Sequence, residues 1–355
     1  MSPARPDPGE ALVEAAGDAF EDGRFEDALA RAEEALRASP RSVAALQYRA
    51  AALAELGRAE DAREAYEAAL AVGKDDLDLL LGAADFHVNG GGEDDGDRAR
   101  VERGLELARR GARLARKAGE AALVGEFAWL EGAGLSQLGE SRAALEKLAE
   151  AEAALPDAIE VKVEQGFALY ELCRFDEARA ALLRAEALDP DEPWTQHHLG
   201  LVAERQGAPD EARRRFARAR RLDPEGFPEP IALSPRAFDE AVEAALASIP
   251  EQVRRYLSNV AITVEDLPAD DDLRASDPPL SPAILGLFRG APYGQKVSMD
   301  PWSHLPSAIV LFQKNLERFA RSRDELIEEI GVTLVHEVGH FLGLDEDELW
   351  ARGLD

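Results

Sequence analysis

Residues 193–226 read PWTQHHLGLVAERQGAPDEARRRFARARRLDPEG, and this stretch decides the fold of most of the chain. Its marks are Gly200, Gly207, Ala212, Phe216, Ala219 and Pro224. Glycine permits a tight turn and proline cannot continue a helix, so the stretch predicts two helices and a stop. The marks recur upstream with a period of 34: Pro156, Pro190 and Pro224; Ala144, Ala178 and Ala212; Ala151, Ala185 and Ala219. Towards the start, the same period links Gly23 with Gly57, Ala28 with Ala62 and Ala35 with Ala69. Pro40 stands where the first unit's closing proline falls, and Gly23-Arg24-Phe25 separates that unit's two helices. Self-similarity at a fixed period marks a repeat architecture, with the small alanines placed where two helices cross closely.

The pattern resembles the tetratricopeptide repeat over residues 9–226, with units near 9–42, 43–76, 125–158, 159–192 and 193–226. Residues 77–124 are a divergent unit with an insertion, GGGEDDGD from Gly90 to Asp97, and Lys74 replaces the closing proline of the second unit. The resemblance implies a right-handed superhelix whose concave face binds a protein or peptide.

Composition agrees with close-packed helices. Hydrophobic residues make up 46% of the chain and aromatics only 6%, so the apolar content is mostly Ala and Leu. The formal net charge is −29. Nucleic acid demands a basic footprint and anionic membranes attract one, so neither is an expected partner. The only cysteine, Cys173, allows no intramolecular disulfide; it falls in a helical pattern and is expected as a small core residue. MSPARPDPGE at the start lacks the apolar core of a signal peptide, and no apolar run approaches 18 residues, so a cytoplasmic location is the default expectation.

The pattern changes after Pro224. Three prolines within 225–235 (EGFPEPIALSP) read as a linker. Phe238, Val242, Leu246 and Ile249 then form one helical face. Strands are expected over Asn259–Glu265, Ile284–Arg289 and Ala308–Phe312, with a charged loop at Asp270–Pro279 and a long helix from about Ser322 to Leu342. Together these make a mixed α+β domain with a small sheet.

That helix carries HEVGHFLGLDE, His336 to Glu346. Residues four apart lie on one helical face, so the His336 and His340 imidazoles can chelate one zinc ion. Glu337 beside them can take a proton from a water on the metal. Ser322 and Glu325 are placed for a capping box, Leu326, Ile327, Ile330, Leu334 and Val338 face a core, and Gly343 suits a C-cap.

A zinc site that keeps one position for water needs a third protein ligand. In thermolysin-type zincins a separate downstream helix supplies it, and the 15 residues after His340 leave no room for one. In metzincins it stands ten residues after the first histidine, beyond a glycine turn, and that position here is Glu346. Asp345 is its nearest competitor, with Asp347 and Glu348 behind. The methionine turn of metzincins is missing, since Met1 and Met299 both precede the motif. The closer resemblance is to the minimal bacterial zincin-like metallopeptidases. It runs over about 236–351 through SIP (Ser248–Pro250), VAITVEDLP (Val260–Pro268), ILGLFRG (Ile284–Gly290), AIVLF and HEVGHFLGLDEDEL. It implies Zn2+ as cofactor, His336 and His340 as ligands, Glu337 as base and an acidic third ligand near Glu346.

The expected architecture is therefore multidomain. An all-α tetratricopeptide superhelix occupies 1–226, a linker 227–235, and a small α+β zincin-like domain 236–355. The expected function is zinc-dependent peptide hydrolysis, with the repeats recruiting a substrate or partner. The alternative is an interaction adaptor whose metal domain is structural. His304 and Tyr293 are weaker candidates for oxyanion contact, and the strand at 284–289 for pairing with substrate. His87, His197 and His198 are expected to be structural or surface residues.

Overall fold

The structure is a computed structural model and describes residues 8–90, 98–257, 260–290, 307–345 and 348. The chain divides into two compact units: Met1–Leu169 with Asp176–Pro190, and Tyr170–Phe175 with Asp191–Asp355. None of the described helices is long and apolar enough to cross a membrane.

The first unit is built of helical hairpins at the expected spacing. They are α1 (Pro8–Glu21) with α2 (Phe25–Ala38), α3 (Val43–Glu55) with α4 (Ala59–Val72), and α5 (Leu77–Asn89) with α6 (Arg98–Ala118). Next come α7 (Ala121–Gln137) with α8 (Ser141–Ala154), and α9 (Ile159–Glu171) with α10 (Phe175–Leu188). The divergent 77–124 unit is thus a hairpin too. Its second helix is 21 residues long, and most of the glycine-rich insertion, 91–97, lies outside the described residues. Local chemistry fixes where helices begin. The Ser42 hydroxyl accepts from the Ala45 amide, and Asp76 accepts from the Leu79 amide at 3.0 Å. The first helices of successive hairpins touch: α1 with α3, α3 with α5, and α5 with α7.

The turns are read from one position. Gly23, Gly57, Gly139 and Gly207 all have φ near +70 to +76°, the left-handed region where only glycine is unstrained. Cys173 stands in the same register with φ 55°. This corrects its expected helical setting: it lies in the turn between α9 and α10, although its side chain is buried as anticipated.

The second unit opens with another hairpin, α11 (Pro193–Arg205) and α12 (Pro209–Leu222). Glu192 caps α11 by accepting from the Trp194 amide at 3.0 Å, and Pro193 fills the first helical position. A Cβ added at Gly200 would sit 2.6 Å from the Phe216 ring, so only glycine lets these two helices meet. Residues 227–234 have no regular structure, but Phe227 is buried, with its ring 4.8 Å from Trp194 and 4.9 Å from His197.

Beyond it come α13 (Pro235–Ser248), α14 (Glu251–Leu257), β1 (Ala261–Glu265), α15 (Asp270–Leu273), β2 (Gly286–Arg289), β3 (Ala308–Phe312), α16 (Gln313–Phe319) and α17 (Arg323–Leu342). The sheet order is β1-β3-β2, with β1 parallel and β2 antiparallel to β3. The segment expected as a plain loop, Asp270–Pro279, begins with the short helix α15, whose first turn carries three consecutive acids, Asp270, Asp271 and Asp272, that complement the positive end of a helix. The core joins Phe238, Val242 and Ile249 of the α13 segment to Ile309 and Leu311 of β3 and to Leu326, Ile330, Leu334 and Val338 of α17. Each fully buried side chain of this size contributes roughly 1.5–3 kcal/mol.

Charged contacts join the α11–α12 hairpin to the α+β elements of the same unit. Glu204 pairs with Arg318 and, at 3.4 Å, with Lys314, while the Arg318 guanidinium lies 5.2 Å from the Phe216 ring centre. Arg205 pairs with Asp270, donates to the Pro268 carbonyl at 2.7 Å and stacks on Phe175. Arg274 donates to the Cys173 carbonyl at 2.8 Å.

Candidate metal centre

The site rests on α17. Its N-terminus is fixed by Ser322, whose hydroxyl accepts from the Glu325 amide at 3.2 Å, while the Glu325 carboxylate accepts from the Arg321 amide at 2.9 Å. The return bond goes one residue before the cap, a variant of the reciprocal box. The helix stops at Gly343, which adopts φ 88°, and the Leu344 amide then donates to the Gly339 carbonyl at 3.0 Å. That is the left-handed stop expected from the sequence.

Three ridges of α17 do three jobs. Ile330, Leu334 and Val338 enter the core. Thr333, Glu337 and Phe341 face β2. A Cβ at Gly286 would lie 2.6 Å from Thr333 Cγ2 and 3.3 Å from both Cγ and Oε1 of Glu337, and the Phe288 ring is 5.6 Å from Phe341. His336 and His340 form the third ridge, half-buried.

The two histidine Nε2 atoms are 3.1 Å apart and their rings stand at 81°. Two nitrogens on a tetrahedral zinc ion, each ~2.05 Å from it, are separated by ~3.3 Å, so the pair fits one metal ion. His340 Nδ1 lies 3.2 Å from the Leu344 carbonyl oxygen. A carbonyl only accepts, so the proton sits on Nδ1 and the Nε2 lone pair is left for a metal; such outer bonds orient ligating histidines. Glu337 is 5% exposed, held beneath β2 beside the histidine ridge.

Among the described residues no group of three His, Cys, Asp or Glu side chains is gathered to hold a metal. Glu346 lies outside the described residues, as do Asp347, His304 and Tyr293. Asp345 is described and exposed; its Oδ1 accepts from the Glu348 amide at 2.9 Å, and its own amide donates to the Glu348 carboxylate at 3.2 Å. His87 and His198 are buried in the helical hairpins, and burial pushes the His87 imidazole down to about 4, leaving it neutral. Gly286 was absent from the sequence-derived candidates. Its role depends on a through-space approach between elements remote in the chain, which no local pattern encodes.

Residues 257–354 match the family model of the zincin-like metallopeptidases, and residues 13–85 and 131–193 match that of the tetratricopeptide repeat. The chain carries a zincin-like metallopeptidase domain preceded by tetratricopeptide repeats. No curated protein matches the sequence. Among solved structures, the pilus biogenesis factor PilW is 15% identical with a TM-score of 0.53, covering 62% of this chain and 96% of PilW. The Cut9–Hcn1 hetero-tetramer of APC/C is 14% identical with a TM-score of 0.53, covering 66% of this chain and 42% of that one. MamA AMB-1 is 26% identical with a TM-score of 0.38, covering 50% of this chain and 97% of its own. The PilW and Cut9–Hcn1 likenesses are of fold alone. The zincin-like family implies a zinc cofactor in general, and the convergent nitrogens of His336 and His340 are compatible with one.

Proposed function

We propose that the chain is a zinc-dependent peptidase whose repeats bring a protein or peptide to the metal site. The carrying observation is the convergence of His336 and His340 Nε2 at 3.1 Å, with the buried Glu337 carboxylate on the adjoining ridge. His336 and His340 would hold the metal with Glu346 as third ligand. The engagement of Asp345 with the Glu348 amide supports Glu346 over its neighbour. A bound Zn2+ supplies Lewis acidity, to a water and to a substrate carbonyl. Glu337 accepts a proton from the attacking water as that oxygen bonds to the peptide carbonyl carbon. It then gives the proton to the amide nitrogen as the C–N bond breaks, releasing a carboxylate and an amine. Among the described residues β2 pairs on one side only, with β3. Its other edge can align an extended chain through backbone hydrogen bonds, which favours peptide as the substrate class.

Metal content by mass spectrometry tests the site. Wild type is expected to hold about one zinc per chain and His340→Ala to lose it. Glu337→Gln is expected to keep the zinc and lose peptide hydrolysis by roughly 10²–10⁴-fold. A metal-free, folded wild type would sink the proposal. Zinc retained with no cleavage by wild type, alongside tight partner capture, would leave the adaptor role instead.

A further inference from the structure

The inner helices of the first unit enclose a groove of about 830 Å3, lined by segments of α3, α5 and α7 and by the start of α9. Its apolar wall is made by Tyr48, Leu81 and Trp129. Its polar lining is dominated by carboxylates: Asp78, Asp85, Glu126 and Glu160, with no Lys, Arg or His among the lining residues. Asp78, Leu81, Gly82 and Asp85 follow one another on a single face of α5.

The groove's carboxylates differ in setting from several acids elsewhere in the unit. Several acids that do not line it meet bases: Glu67 pairs with Arg103, Asp75 with Arg110, Glu131 with Arg109 and Lys147, and Glu150 with Arg116. In the groove, the hydrogen bond made by Asp85 is from the neutral Asn89 amide, at 2.8 Å. Partial burial, then the neighbouring Asp78 charge, raises the Glu126 carboxyl above the ordinary range. These four arginines thus lie outside the groove lining, and four carboxylates gather in it beside Tyr48 and Trp129.

We propose that this groove docks an extended cationic peptide segment, with Arg or Lys side chains meeting Asp78, Asp85, Glu126 and Glu160 and apolar side chains lying on Tyr48, Leu81 and Trp129. The proposal rests on the reading that the repeats recruit a protein or peptide, and it adds the chemical class of that partner. Guanidinium groups suit the site twice over, pairing with carboxylates and stacking on aromatic faces. Acidic peptides are disfavoured by the same field.

The test uses the full chain and three labelled ten-residue peptides that alternate Leu with Arg, Ser or Glu. Binding is followed by fluorescence anisotropy near physiological salt, with peptide integrity checked by mass. The Arg peptide is expected to bind at least tenfold more tightly than the Ser and Glu peptides. The isosteric double variant Asp78→Asn/Glu126→Gln is expected to weaken it about tenfold. Glu10→Gln/Glu14→Gln, which removes two exposed charges outside the groove, is expected to leave it unchanged. Equal weakening by both double variants would mean that bulk charge holds the peptide, and would overturn the proposal. Equal or tighter binding of the Ser or Glu peptide would overturn the cationic class while leaving recruitment standing. Failure of all three peptides to bind would overturn recruitment by the repeats as well.

Discussion

At the residue scale, the catalytic proposal turns on how closely β2 passes over α17. Gly286 leaves the room that Glu337 occupies. A methyl group added there would fall 2.6 Å from Thr333 Cγ2 and 3.3 Å from the Glu337 side chain. Gly286→Ala is therefore expected to lower peptide hydrolysis about 10–100-fold with zinc content unchanged, since small displacements of a catalytic group are costly. Adding Thr333→Ser removes the Cγ2 contact and is expected to recover part of the loss. A merely structural role for Gly286 would lower zinc content and stability together. Cys173 offers a cleaner measurement. It holds φ 55° where four other hairpins place glycine. Cys173→Gly and Cys173→Ala both delete the buried thiol, but only alanine retains the backbone strain. The glycine variant is expected to be the more stable of the two by ~1 kcal/mol in urea melts. The shared helical face of His336 and His340 was legible from their spacing alone. The turn position of Cys173 was masked because a thiol carries no turn signal, though its register with Gly139 and Gly207 contained the information.

At the element scale, the hairpins were legible because each repeats the same punctuation many times, and α17 because both ends carry caps. The helices α14 and α16 escaped notice for the opposite reason. Each is seven residues long, too short for a periodic face to stand out, and α16 follows β3 without any intervening turn residue. β1 and β2 are shorter than their apolar runs suggested, since pairing with β3 rather than hydrophobicity sets where a strand ends. The helix α9 also carries a titratable feature. Burial lifts the Glu164 carboxyl to about 7, with the Ser136 hydroxyl pulling the other way. A carboxyl whose folded pKa exceeds its unfolded value favours folding while protonated, and loses that benefit as pH rises from about 4.5 through about 7. Glu164→Gln, which cannot ionise, is expected to melt a few °C above wild type at pH 8 and level with it at pH 4.5. No pH dependence in that difference would place the ionised carboxylate in a well-solvated setting instead.

At the scale of the whole molecule, the α11–α12 hairpin belongs by its contacts to the unit that holds the candidate metal site. Glu204, largely buried, takes charge from both Arg318 and Lys314 of α16. Lys314 keeps its pairing with Asp266 at 3.3 Å, but Arg318 loses its carboxylate partner, and Glu204→Gln is expected to cost about 2 kcal/mol. Calorimetry should resolve two transitions. Zinc removal and Glu204→Gln are expected to lower the same one, because a ligand stabilises the cooperative unit that binds it. If chelation and Glu204→Gln shifted different transitions, the hairpin would not fold with the α+β elements.

The assignment of that hairpin bears on how a chain of this kind can change in length. Apart from the longer 77–124 unit, the upstream hairpins repeat every 34 residues and contact mainly their neighbours, so one more could be spliced among them like a bead on a string. The hairpin at 193–222 is no longer a bead, because Glu204, Arg205 and Phe216 have taken partners in α15 and α16 or beside them. Duplication and deletion are thus free to tune the length of the array upstream, while this one module is inherited together with the zincin-like domain.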